Sequence, residues 1–101
     1  MASSELARAL QLAPGDNVAV ALAELPAGTS LEVAGVTLCL RDAVKVGHKF
    51  ALRAIAPGER ILKYSCPIGS ATRAIAAGEY VHTHNVRSDY LANTTAVEGA
   101  E

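Results

Sequence analysis

His82 and His84 are separated by one residue in a chain that has three histidines in all. In an extended strand, side chains two apart project from the same side, so Tyr80, His82 and His84 would share one face, with Val81, Thr83 and Asn85 on the other. Two imidazoles on one face can chelate a divalent first-row metal ion. A metal site needs further ligands, however. The plainer reading is a pair of partly exposed polar residues on an edge strand. His48 follows Gly47 and precedes Lys49. A neighbouring ammonium lowers the proton affinity of an imidazole and suits it to act as a neutral base. Adjacent strand residues point to opposite faces, though, so His48 equally reads as a polar residue at a strand start. Asp16 and Asn17 follow Pro14-Gly15, where such residues cap a turn or helix or face a hydroxylated ligand. Cys39 and Cys66 lack metal-binding spacing and a nearby activating base. They read as reduced structural residues, at a separation that permits a disulfide without implying one. Arg53, Arg60, Lys63 and Arg73 read as solvated charges.

The elements that must position these groups are short and alternating. "NVAVALAEL" (17–25) has apolar residues at spacing two, as in a strand, though its Ala, Leu and Glu also suit a short helix. In "TSLEVAGVTLCL" (29–40) the alternation slips at Gly35, which predicts a hairpin turn or bulge there. "HKFALRAI" and "RILKYS" alternate again, "CPIGSATRAI" continues, and "YVHTHNV" (80–86) predicts a last strand. Three turns repeat one form: "LPAGTSL", "IAPGERI" and "IAAGEYV". Gly28, Gly58 and Gly78 hold the same place in them, where a positive φ suits glycine. The spacings are unequal, which excludes a solenoid. The pattern predicts a compact, mostly β domain over 16–87. Residues 1–15 read as an arm in which Leu6 and Leu10 could line one helical side, and 88–101 as a weakly held tail.

The bulk numbers set bounds on function. With 101 residues, a single domain is expected. The chain has one Phe and no Trp, so its core must come from Val, Ile and Leu, and a domain of this size gains from a partner. The formal net charge of −1, without a like-charge block, argues against a nucleic-acid groove. No apolar run reaches the roughly 20 residues of a membrane span, and the N-terminus has no basic-then-apolar export signal. A cytoplasmic location is the expectation.

Several motifs, in order, carry a family resemblance: "DNVAVAL" (16–22), "LPAGT" (25–29), "GHKFAL" (47–52), "IAPGERILKYSCPIG" (55–69) and "AIAAGEYVHTHNV" (74–86). Together they resemble the small N-terminal domain of altronate and galactarate dehydratases, which also occurs as a small subunit of related sugar-acid dehydratases and of sulfolactate sulfo-lyase. The resemblance implies a SAF domain with a β-clip fold, working with a large dehydratase-type subunit. It implies β-elimination of water from a 2,3-dihydroxy acid to a 2-keto-3-deoxy acid, assisted by a divalent metal, commonly Fe2+. The matching positions are Asp16, Asn17, Gly47, His48, Lys49, His82, His84 and Asn85. On this reading His82 and His84 contact metal or substrate. His48 and Lys49 bind the substrate carboxylate or move a proton, and Asp16, Asn17 and Asn85 contact the hydroxy acid. A second reading is a stand-alone binding module for carbohydrates or hydroxy acids. Sparsely charged strands such as "GVTLCL" also predict self-association when no partner is present.

Overall fold

The computed structural model describes residues 8–88, and these contain nine strands and no helix. The strands are β1 (Ala9–Leu10), β2 (Val18–Ala21), β3 (Ser30–Val33), β4 (Val36–Cys39), β5 (Lys49–Ala51), β6 (Arg60–Lys63), β7 (Cys66–Ala71), β8 (Tyr80–Val81) and β9 (Val86–Arg87). They form a four-stranded antiparallel sheet β1-β2-β5-β8, a hairpin β3-β4 and a three-stranded sheet β6-β7-β9. The mostly β expectation holds. No helix of the described residues is long and apolar enough to cross a membrane.

The open choice at 17–25 resolves as a strand that turns. β2 pairs with β5 through Val18–Ala51, Ala19–Phe50 and Val20–Lys49. Leu10, read as part of a helical side, lies in a strand instead, where Ala9 pairs with Ala21 and Leu10 with Val20. β2 offers a free row of backbone groups, and pairing satisfies them. Residues 1–7 and 89–101 lie outside the described residues, and with them Leu6 and nearly all of the expected tail.

Two cores flank the four-stranded sheet. Ala19, Ala21 and Phe50 face one cluster that includes Leu25, Leu31, Leu40 and Val44, with Tyr80 packed against it. Val18, Ala51 and Val81 face the other, with Ile55, Ile61, Ala71 and Ile75. Strand alternation thus splits the apolar residues between two thin cores, each closed by one hairpin. The first hairpin turns at Ala34–Gly35 (φ 55° and 81°), as the phase slip predicts. The second turns at Tyr64–Ser65, where neither residue is glycine and φ is 58° and 63°.

The turn repeat has a fourth member. Val44 and Phe50 flank Gly47 by three residues on each side, as Leu25 and Leu31 flank Gly28, Ile55 and Ile61 flank Gly58, and Ile75 and Val81 flank Gly78. All four glycines have φ between 83° and 88°. The turns interlock in pairs. Leu25 and Val44 form a bridge, as do Ile55 and Ile75. Gly28 N–H donates to the Leu40 carbonyl and Gly47 N–H to that of Ala21, each at 2.8 Å. Gly58 N–H donates to Ala71 and Gly78 N–H to Ala51, also at 2.8 Å. Each half is therefore nearly two-fold symmetric. Gly47 serves this backbone shape, and a Cβ there would meet only open space.

Candidate functional site

His48 begins at one of these turns. Its backbone N–H donates to the Lys45 carbonyl at 3.0 Å and its carbonyl accepts from Ala21 N–H at 2.8 Å, so the residue is fixed at the mouth of β5. Its ring reaches across the sheet. Nδ1 lies 2.7 Å from the Tyr80 hydroxyl, and the two rings are stacked with centroids 5.7 Å apart. Phe50 pairs with Tyr80 across β5 and β8, which sets this meeting. The Tyr80 backbone N–H in turn donates to Asp42 Oδ2 at 2.9 Å.

The predicted last strand is interrupted. β8 ends at Val81, and residues 82–85 form a turn before β9. Asn85 causes it. Its side chain is fully buried (0 % exposed). Oδ1 accepts from His82 N–H at 3.0 Å, and Nδ2 donates to the Tyr80 carbonyl at 2.8 Å. The side chain thereby takes the place of a partner strand, as Asx turns do. The turn still gathers the rings. Tyr80 stacks with His82 at 5.5 Å and with His84 at 5.6 Å, while His48 meets His82 at 5.6 Å. His82 and His84 are exposed, and His48 and Tyr80 half-buried. Tyr80 is the hub of the cluster, in contact with all three imidazoles.

The remaining candidate residues are placed differently. Lys49 occupies the opposite face of β5 from Phe50, so it does not share the ring cluster's side. Its ammonium is held below the usual lysine range by burial first and by the charge of Lys63 second. Asp16 is buried. Its Oδ2 accepts from Ala13 N–H at 3.1 Å and Tyr64 N–H at 2.8 Å, and its Oδ1 from Ser65 N–H at 2.7 Å. Asn17 is buried as well, donating to the Arg60 carbonyl at 2.9 Å and accepting from Leu62 N–H at 2.8 Å. These two side chains tie the second hairpin to the start of β2, and Asn85 lies beneath the histidine turn. Cys39 and Cys66 are exposed and unpaired by a disulfide.

The donor set bears on a metal ion. Imidazole nitrogen suits divalent first-row metals, and the rings of His48 and His82 are in contact. Among the described residues, no group of three or more His, Cys, Asp or Glu side chains is gathered closely enough to hold an ion.

Two features escape a reading by sequence alone in part or whole. Alternation predicts that Tyr80 lies on the histidines' side, but its bond to His48 bridges 32 positions and no local pattern records it. The fourth turn is hidden because Lys45-Val46 replaces the Ala/Pro doublet of the other three. The aliphatic residues three before and three after each glycine are the signal that recovers it.

Fold and site define a small all-β domain with two cores and a shallow ring cluster at one end of its central sheet. The family model described as "Altronate/galactarate dehydratase SAF domain" matches residues 7–89, and the chain belongs to that family. It is 54% identical over 74 residues to altronate dehydratase of Escherichia coli, a match covering 73% of this chain and 15% of that protein. It is 40% identical, over the same shares, to altronate dehydratase of Bacillus subtilis. It is 45% identical over 49 residues to the (2R)-sulfolactate sulfo-lyase subunit alpha of Chromohalobacter salexigens, covering 48% of this chain and 52% of the subunit. The match thus spans about one seventh of the altronate dehydratases.

Proposed function

We propose that this domain works with a larger dehydratase-type chain or domain in a lyase reaction on sugar acids or related hydroxy acids. The reaction is β-elimination of water to a 2-keto-3-deoxy acid. The observation that carries this is the convergence of His48, Tyr80, His82 and His84 on one accessible surface. Support comes from the kinship with altronate dehydratases and with a sulfo-lyase subunit.

The bond between His48 and Tyr80 prepares the imidazole for proton transfer. When Nδ1–H donates to the phenol oxygen, Nε2 is a free base; when the phenol O–H donates to Nδ1, Nε2 carries the exchangeable proton. Either arrangement holds the ring through Nδ1 and leaves the proton exchange to Nε2. Elimination needs a base for the proton on C2 and an acid for the hydroxyl leaving C3. His48 takes one of these roles, and the larger chain supplies the other. His82 and His84 bind the substrate hydroxyls, or hold a divalent metal, Fe2+ by family resemblance, together with donors of the larger chain. When bound, such an ion supplies Lewis acidity toward the carboxylate and α-hydroxyl.

Purified chain mixed with a cognate large dehydratase-type chain, ferrous iron and a panel of aldonic and aldaric acids tests the proposal. Turnover by the mixture and not by either component is the expected result. Inactivity on every acid, with no complex formed, defeats it. Tight binding of the acids by this chain alone, unchanged by the large chain, would favour the stand-alone module instead.

A further inference from the structure

Tyr80, the hub of the ring cluster, sits on a two-residue strand at the edge of the four-stranded sheet. The Glu79 carbonyl points toward β5, accepting from Ala51 N–H at 3.0 Å. Polar groups alternate in direction along a strand. The Tyr80 N–H and carbonyl therefore face away from β5, where the sheet has no further strand. Two side chains stand in for one. Asp42 Oδ2 accepts from the Tyr80 N–H at 2.9 Å, and Asn85 Nδ2 donates to the Tyr80 carbonyl at 2.8 Å. Beside them, Arg41 N–H donates to the Gly78 carbonyl at 2.9 Å. An edge strand this short frays readily when its outer groups bond only to water, and a carboxylate is the stronger kind of acceptor for an amide.

A second observation concerns the segment that carries Asp42. His48 follows six residues later in the same chain segment. Main-chain bonds fix the path between them. Val44 and Leu25 exchange two, at 2.8 and 2.9 Å, and His48 N–H donates to the Lys45 carbonyl at 3.0 Å. One fixed segment thus grips Tyr80 twice, Asp42 at the backbone and His48 at the hydroxyl, 2.7 Å from Nδ1. Among the described residues, the Tyr80 amide is the one partner of the Asp42 side chain. The carboxylate of Asp16, by contrast, receives three amides.

We infer that Asp42 is a positioning residue for the ring cluster. It acts through Tyr80, setting where the phenol stands against His48 Nδ1 and so which tautomer and orientation the imidazole keeps. Its effect on turnover rests on the proposed lyase reaction; its hold on the rings does not.

Nitrogen-15 spectra of the imidazoles in the full 101-residue chain test this without a large chain. In the native chain His48 should show one fixed tautomer, and the Tyr80 amide should be protected from hydrogen exchange. A freely exchanging Tyr80 amide would overturn the assignment whether or not any variant folds. Asp42→Ala should release both, with His48 moving toward the tautomer mixture of a free imidazole. Asp42→Asn keeps an acceptor and should keep the native spectrum. In the assembled enzyme, Asp42→Ala should lower kcat by about 10- to 100-fold, the range for a small misplacement of a reacting group, and leave KM nearly unchanged. On a Tyr80→Phe background the same substitution should cost nothing further. Native His48 signals in a folded Asp42→Ala chain, or a full additional loss beside Tyr80→Phe, would make Asp42 a strand cap only and leave the dehydratase proposal standing. The expected spectra, with no turnover alongside any large chain, would instead defeat the dehydratase proposal and leave the hold on the rings intact.

Discussion

The four glycine turns share one backbone and differ in the residue after the glycine. Gly58 and Gly78 are each succeeded by a glutamate that stays at home. Glu59 accepts from Ala56 N–H and Glu79 from Ala76 N–H, each at 2.9 Å. Each also pairs with an arginine six residues earlier, Arg53 at 2.7 Å and Arg73 at 3.3 Å. After Gly28, the Thr29 hydroxyl donates to the Pro26 carbonyl at 2.6 Å. After Gly47 the pattern changes. His48 keeps the backbone bond of the turn, as the others do, but its side chain leaves for Tyr80. Asp42 stands where Arg53 and Arg73 stand in the second half, and receives the Tyr80 amide instead. Three turns use the side chain for their own stability. The fourth keeps its backbone closure without that contribution, and its imidazole bonds to the Tyr80 hydroxyl instead.

Breaking the shared backbone should have the largest effect. A Cβ at Gly78 would lie 2.3 Å from the Cys39 carbonyl oxygen, with φ at +85°. Gly78→Ala should therefore cost about 3 kcal/mol or more, from backbone conflict added to the left-handed penalty. Gly47→Ala, in open space, should cost about 1–2 kcal/mol. Urea unfolding of the two variants measures the difference, and equal costs would show that the turns are not distinguished by their surroundings.

Replacing the diverted side chain sharpens the contrast. His48→Gln should lower kcat of the assembled enzyme by about 100-fold or more, the usual worth of a general acid or base. Stability should change by less than about 1 kcal/mol, as for a half-buried polar residue. A loss of stability with kcat intact would make His48 a structural residue like its counterparts.

The hairpins allow a smaller test. Ser65→Gly should stabilise the fold by about 1 kcal/mol, because glycine accepts the positive φ freely. In the first hairpin Gly35 already occupies this place, and Gly35→Ser should destabilise by a similar amount in the same thermal or urea assay.

The smallest effects come from titration. Arg53, the Ala56 amide and the charge of Arg53 hold the Glu59 carboxyl below its ordinary range. Its contribution is present above the unfolded pKa and is lost as pH falls through the folded one. Glu59 is partly exposed, so Glu59→Gln should cost about 0.5 kcal/mol near neutral pH, vanishing in acid. Lys49 acts in the other direction. Its lowered pKa means that the unfolded chain binds more protons between that value and 10.5, so stability rises with pH across the window. Lys49→Met should flatten that rise in melting temperature.

Strand alternation and the Gly35 phase slip make the strands and the first hairpin legible in the sequence, because both depend on local geometry. Alternation also puts Tyr80, His82 and His84 on one side, but it is the turn at 82–85, not a continuous strand, that brings their rings into contact. The break in the last strand is not legible in this way. It depends on Asn85 bonding back to Tyr80 and His82, and alternation alone continues through it. The hidden placements of Asp16 and Asn17 have a similar origin: their partners lie more than 40 residues away in the second hairpin. Nor does any local pattern record that β5 separates two cores, which puts His48 toward one group of partners and Lys49 toward another.

The interlocking of the turns has a practical corollary for protein engineering. Because a main-chain bond closes each loop and the side-chain contacts only add to it, the position next to a loop glycine can serve as a socket for interchangeable groups. Reactive or metal-binding residues could be installed after Gly28, Gly58 or Gly78, and the scaffold should tolerate one such graft at a time.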